Sequence, residues 1–177
     1  MNTAVIEGLP DLMTQLPHLT VTHQTGESDH ARVVEAYRRV GIESQVVPFI
    51  YDMPAALRRA DLVVARAGAM TVAELTACGK PAILVPLPSA IYDHQTHNAK
   101  VMEAAGAAVL LPQSVLTGPL LARTVAGILR DRDRLRAMGE ASLSLRRIDA
   151  AEVIVRECYA LMGGRHDVHR SVGAAGN

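Results

Sequence analysis

The run Ala65-Arg66-Ala67-Gly68-Ala69-Met70-Thr71-Val72-Ala73-Glu74 concentrates the groups best placed for chemistry. It follows Asp61-Leu62-Val63-Val64, a short β-branched stretch that reads as a buried parallel strand. It leads into a helical pattern over Val72, Leu75 and Thr76 that stops at Gly79-Lys80-Pro81. A strand entering a helix through small residues leaves backbone N–H groups free at the helix start, where the dipole also favours an anion. Gly68, Ala69, Met70 and Thr71 form that turn, and Gly68 is expected to take a φ that a β-carbon would forbid. Glu74 lies one turn further in, where a carboxylate can accept hydrogen bonds from a vicinal diol. Phosphate on backbone amides and ribose on an acid is how many α/β folds hold a nucleotide. Thr71 and Glu74 also fit a capping box, with the carboxylate folded back on the first turn. The spacing leaves both readings open.

Two further loops hold polar groups. In His23-Gln24-Thr25-Gly26, His23 ends a strand and faces the crevice. Such a histidine is more often a packing or hydrogen-bonding residue than a catalyst. In Asp93-His94-Gln95-Thr96-His97-Asn98, Gln95 and Asn98 share a helix face and offer uncharged donors and acceptors suited to sugar hydroxyls. His94 and His97 are also at helical spacing, but no third metal ligand is evident nearby. No metal or cofactor is therefore expected, and no catalytic base is identified. There is no Ser-His-Asp set, Walker loop, zinc spacing or carboxylate pair for glycoside hydrolysis. A phosphate seat, a diol acceptor and an amide pair suit a nucleotide-sugar better than a dinucleotide.

The elements that must position these groups alternate. Helices are expected over residues 2–16, 29–40, 52–60, 71–78 and 94–105, and strands over 19–23, 45–50, 62–66, 81–87 and 107–111. Gly8 and Pro10 weaken the first helix; Ser28, Asp52 and Asp93 are the expected caps. Helices alone follow, over 117–129, 131–144 and 150–162, and residues 163–177 are expected to be a disordered tail. This pattern predicts a doubly wound parallel sheet with right-handed crossovers. Ligands of such sheets bind at the carboxyl ends of the strands, so the loops at 23–26, 49–53, 66–71 and 86–98 should converge.

Composition narrows the function classes. At 177 residues the chain is long enough for one domain with a real core. Net charge is zero, Trp is absent and basic residues are scattered, which argues against nucleic acid as a partner. Cys78 and Cys158 lie far apart in helical patterns and read as buried thiols of a reducing compartment. No apolar run reaches transmembrane length, and no secretion signal is visible, so the default address is the cytosol.

Four runs in order carry a family resemblance: His23-Gln24-Thr25-Gly26, Phe49-Ile50-Tyr51-Asp52-Met53, Arg66 through Glu74, and Asp93 through Ala99. Up to about Met162 the chain resembles the donor-binding half of the MurG family. These bacterial enzymes move N-acetylglucosamine (GlcNAc) from UDP-GlcNAc onto lipid-linked muramyl-pentapeptide in peptidoglycan synthesis. The resemblance implies an inverting GT-B hexosyltransferase, with residues 1–162 as the UDP-GlcNAc-binding Rossmann-like C-terminal domain. It further implies that the backbone at Ile50 reads uracil and that the Gly68–Thr71 turn faces the diphosphate. Glu74 would hold the ribose and Gln95 the GlcNAc hydroxyls. His94 stands where some family members have a second glutamine, and Asn98 and His23 lie beside the same site.

The family also has a strand and a Gly-Gly-Ser loop ahead of the helix that opens this chain, and an N-terminal domain holding the acceptor site and a membrane-facing patch. The chain therefore reads as a fragment lacking the first strand of its domain, inactive alone, with two unpaired sheet edges. The full-length protein would sit peripherally on the cytoplasmic face of the cell membrane. Alternatives are a non-catalytic donor-binding subunit of a split GlcNAc transferase, another GT-B enzyme such as a UDP-GlcNAc 2-epimerase or a natural-product glycosyltransferase, and a functionless remnant.

Overall fold

The structure, a computed structural model, describes residues 1–88, 93–147 and 149–162. The chain divides into two compact units, Met1–Arg146 and Arg147–Asn177.

In the first unit helices and strands alternate in chain order: α1 (Asn2–Gln15), β1 (Thr20–Gln24), α2 (His30–Val40), β2 (Glu43–Val47), α3 (Met53–Arg59), β3 (Val63–Ala65), α4 (Ala69–Ala77), β4 (Ala82–Leu84), α5 (His94–Ala104) and β5 (Ala108–Leu110). Two helices follow, α6 (Gly118–Leu129) and α7 (Arg132–Ser144). Every strand pairing is parallel. Side chains alternate across the sheet because a strand has a period of two. In and beside β4, Ile83 and Val85 enter one core with α1, α2 and α6, while Ala82 and Leu84 enter a second with Leu57, Leu75 and Met102 of α3, α4 and α5. Helices thus cover both faces, the doubly wound arrangement expected of alternating β and α segments. Burial of a single large apolar side chain such as Ile83 or Leu84 contributes about 2 kcal/mol.

The sheet is in two pieces, β1-β2 and β3-β4-β5. Val21 and Val46 of the first piece pack in the same apolar cluster as Leu62, Val64 and Ile83 around the second. β1 and β3 belong to separate pieces, and it is between them that the resemblance leads one to expect a further strand.

Several boundaries differ from the sequence expectation, each for a local reason. Gly41 ends α2 in the left-handed region at φ 77°, and β2 then starts at Glu43 opposite Thr20, earlier than residue 45. The β2 ladder ends before Pro48, which has no N–H to give, so Ile50 lies on a loop rather than in a strand. α4 starts at Ala69 rather than Thr71, with Gly68 as its cap residue, so no Thr71–Glu74 capping box forms. Asp29 rather than Ser28 occupies the cap position of α2. Asp93 stands ahead of α5 at φ 56° but its side chain accepts no capping hydrogen bond, whereas Asp52 caps Ala55 N–H as expected.

α1 runs unbroken through Gly8 and Pro10. Gly8 is there because α6 touches the helix backbone. A β-carbon on Gly8 would stand 2.7 Å from the Gly118 carbonyl oxygen, and one on Gly118 would stand 2.5 Å from Glu7 Cβ.

In the second unit, α8 (Ala150–Leu161) has no buried residue. Cys158 is exposed, which corrects its reading as a buried thiol; a short helix wide open to solvent has no interior in which to hide it. The expected tail, 163–177, lies outside the described residues.

Candidate functional site

The turn after β3 presents what its small residues promised. α4 opens on Gly68 with no side-chain cap and no acidic residue in its first turn. The N–H groups of Ala69, Met70 and Thr71 precede the first intrahelical bond, which Val72 N–H makes to the Gly68 carbonyl at 3.0 Å. Donors and dipole there are uncompensated and suited to an anion. Gly68 does not work as the sequence suggested. Its φ is −63°, an angle open to any residue, and among the described residues a β-carbon would meet only Thr71 Oγ1 at 3.9 Å. What glycine leaves here is open space above the helix start. Met70 is 75% exposed, so it fills none of a core. Glu74 is exposed on the next turn, and among the described residues its carboxylate makes no hydrogen bond or ion pair, leaving it available to an outside donor.

Side chains stitch this turn to its neighbours. Arg66 Nη1 donates to the carbonyls of Val85 and Pro86, both at 3.1 Å, tying the turn to the end of β4. Asn98 Nδ2 donates to the Ala67 carbonyl at 3.0 Å, which fixes α5 against the same turn. Gln95 Oε1 accepts from Leu87 N–H at 3.0 Å. That bond sets the amide's orientation, with the oxygen committed to the β4 loop and the NH2 left as the donor end. His94 and His97 are exposed on α5, and among the described residues no group of three His, Cys, Asp or Glu is placed to hold a metal.

The other loops lie at the carboxyl ends of β1 and β2. Thr25 and Gly26 N–H groups bond the Val47 and Pro48 carbonyls at 3.0 and 3.1 Å, continuing the strand pairing past the ladder. Ile50 N–H then has a side-chain partner, Gln24 Oε1 at 2.9 Å. A cleft of about 360 Å³ opens beside it, lined in part by Thr22, Phe49, Ile50, Tyr51 and Asp52. Phe49 and Tyr51 are 56% and 93% exposed, with their rings edge-on at 5.2 Å. Exposed aromatic side chains flanking a free cleft are available to a flat ligand.

The chain's own start links the two halves. Asn2 Nδ2 donates to the Thr25 carbonyl at 2.9 Å and to Asp29 Oδ2 at 2.8 Å. The Met1 ammonium, held below its ordinary pKa by burial, also feels the positive charge of Arg66. The loop after β1 and the turn after β3 therefore flank one amino terminus.

Residues 1–154 match the glycosyltransferase family 28 C-terminal domain. The chain belongs to this family. Among similar proteins, the UDP-N-acetylglucosamine--N-acetylmuramyl-(pentapeptide) pyrophosphoryl-undecaprenol N-acetylglucosamine transferase of Geobacter metallireducens is 46% identical over 157 residues, which cover 89% of this chain and 43% of that protein. The Syntrophotalea carbinolica protein of the same name is 47% identical over 164 residues, 92% of this chain and 46% of its own. Among solved structures, Acinetobacter baumannii MurG superposes with a TM-score of 0.76 at 36% identity, over 87% of this chain and 45% of that one. The spinosyn forosaminyltransferase SpnP, at TM-score 0.57 and 15% identity, shares the fold. The chain spans less than half the length of the curated relatives it matches.

Within this family 28 domain His23 is a structural residue and not a group open to the crevice. It is buried, its Nδ1 lies 3.2 Å from the Tyr37 hydroxyl, and its Nε2 lies 3.3 Å from Asn2 Oδ1. Asn2 Oδ1 can only accept, so Nε2 carries the proton and Tyr37 donates to Nδ1. Burial lowers the His23 pKa below 6.5, and nearby Asp29 opposes this only in part. The folded state therefore binds fewer protons than the unfolded chain as pH falls through that ordinary value. His23's contribution to stability is fully present above 6.5 and is lost progressively below it. Urea midpoints measured at successive pH values should fall on the acid side of neutrality, and the fall should be shallower in His23→Gln.

Sequence reasoning passed over Gln24 and Arg66, though both stand inside quoted motifs. A charged residue in an otherwise small-residue turn was the available signal for Arg66. Gln24 gave none, because its role depends on where the loop after β2 runs.

Proposed function

We propose that this chain is the donor-binding half of an inverting hexosyltransferase that moves GlcNAc from UDP-GlcNAc to lipid-linked muramyl-pentapeptide. The carrying observation is the uncapped, acid-free start of α4, with Glu74 on the same helix unpartnered among the described residues and Asn98 binding α5 to the same turn. The names of relatives more than 40% identical over most of this chain support UDP-GlcNAc as the ligand of that arrangement. In this reading the amides of Ala69, Met70 and Thr71 receive the diphosphate, in the open space left by Gly68. Glu74 accepts from the ribose hydroxyls. Gln95 donates its NH2 to a GlcNAc hydroxyl oxygen, and the exposed His94 flanks the same sugar. Backbone at Ile50 reads the uracil edge.

The reaction breaks the bond between the anomeric carbon and the diphosphate oxygen, while an acceptor hydroxyl attacks from the opposite face and gives its proton to a base. UDP departs with the bonding pair. Oriented N–H groups at the α4 start stabilise the charge growing on that diphosphate, which lowers the barrier electrostatically. The acceptor site, the base and peripheral attachment to the cytoplasmic face of the membrane belong to the part of such a transferase that this chain does not span. Among the described residues no helix is long and apolar enough to cross a membrane.

Calorimetric titration tests the donor half directly. UDP-GlcNAc is expected to bind at least about tenfold tighter than GMP, since one wrong base edge costs about 1–3 kcal/mol. Equal affinity for the two would overturn the assignment.

A further inference from the structure

Among the described residues the Ile50 N–H has one side-chain partner, Gln24, the last residue of β1. Its neighbours in the same parallel run, Thr25 and Gly26, use backbone carbonyls of Val47 and Pro48. At Ile50 the backbone partner runs out and an amide oxygen replaces it at 2.9 Å. The contact lies at the surface, so the glutamine is free to leave without opening the core.

We infer that Gln24 is a built-in competitor for the Ile50 amide, its side-chain oxygen standing in for a keto oxygen of the nucleotide base until the donor arrives. This rests on the reading of Ile50 as the base-reading backbone. The chemistry follows from the donor: an N–H can donate only to an acceptor, so it selects a base with a carbonyl at that edge and rejects one with an amino group there. Gln24 is thus a positioning residue. It occupies the Ile50 N–H when the site is empty and so sets an affinity cost that the base must meet on entry.

Two substitutions separate this role from a ligand contact. Gln24→Ala removes the competitor, so UDP should bind about two- to tenfold tighter, the range of one exchanged surface hydrogen bond. Gln24→Glu offers the N–H a charge-assisted acceptor, so binding should weaken by a similar factor. Uridine, which carries no phosphate, should show the same opposite signs, excluding repulsion between the new carboxylate and the diphosphate as the cause. Hydrogen exchange at the Ile50 amide supplies a second readout. It should accelerate in ligand-free Gln24→Ala and slow again on saturation with UDP.

Weaker UDP binding by Gln24→Ala, unchanged affinity in both variants, or an Ile50 amide whose exchange ignores the substitution would each overturn the inference while leaving donor binding intact. Failure of the unsubstituted chain to bind UDP or UDP-GlcNAc would instead overturn the parent reading, and this one with it.

Discussion

Glu74→Ala is expected to leave the melting temperature of the chain within about 2 °C of its parent, because an exposed side chain without partners contributes little to stability. UDP-GlcNAc affinity should nevertheless fall about ten- to hundredfold, the equivalent of roughly 1.5–3 kcal/mol for hydrogen bonds to a charged acceptor. Glu74→Gln keeps the shape and one acceptor oxygen and should recover part of the loss. The contrast between an untouched fold and a damaged site is the diagnostic. A capping role would give the reverse, a less stable helix and normal binding. The structure has already removed the basis for such a role by starting α4 at Ala69. Calorimetry and thermal unfolding on the same preparations decide between the two, and unchanged affinity in Glu74→Ala would remove this carboxylate from the site.

Gly118→Ala should do the opposite, lowering stability by about 3 kcal/mol or more, as overpacking against rigid neighbours does. The new methyl would lie 2.5 Å from Glu7 Cβ and 2.6 Å from Gly8 N, and backbone cannot step aside as a flexible side chain can. α1 and α6 would have to separate along a contact that buries Ala4, Leu9, Leu12, Leu121 and Val125. For a unit of this size the melting temperature should drop by roughly 10 °C. Gly127→Ala is the control. It lies on the same helix with nothing within 4 Å of the added carbon and should be neutral or slightly stabilising.

The architecture was largely legible, and for a definite reason. Short β-branched runs such as Leu62-Val63-Val64 and Ile83-Leu84-Val85 cannot be satisfied at a surface, and helical patterns between them leave a doubly wound sheet as the economical solution. The meeting of the turn at Ala67 and Gly68 with the start of α5 at Asn98 followed from that topology, since parallel strands send all their carboxyl ends the same way. Local geometry was less accessible. Gly68 suggested a special φ, yet its value lies in the absence of a side chain over the helix start, a property of empty space that no pattern of letters displays. Val46, Val47 and Phe49 are strand formers and favour a strand through residue 50, but the missing N–H of Pro48 outweighs them. The histidine at position 23 could have been a catalyst or a packed residue. Only the pairing with Tyr37 and Asn2, which lie distant in sequence, decides for the second.

The position of the amino terminus bears on any laboratory work with this polypeptide. The α-ammonium of Met1 is partly enclosed, close enough to feel Arg66, Asp29 and Arg32, while its neighbour Asn2 clasps the loop after β1. A peptide fused there would emerge beside Arg66 and the loop after β1, and acylation of the amine would remove a positive charge beside Asp29, Arg32 and Arg66.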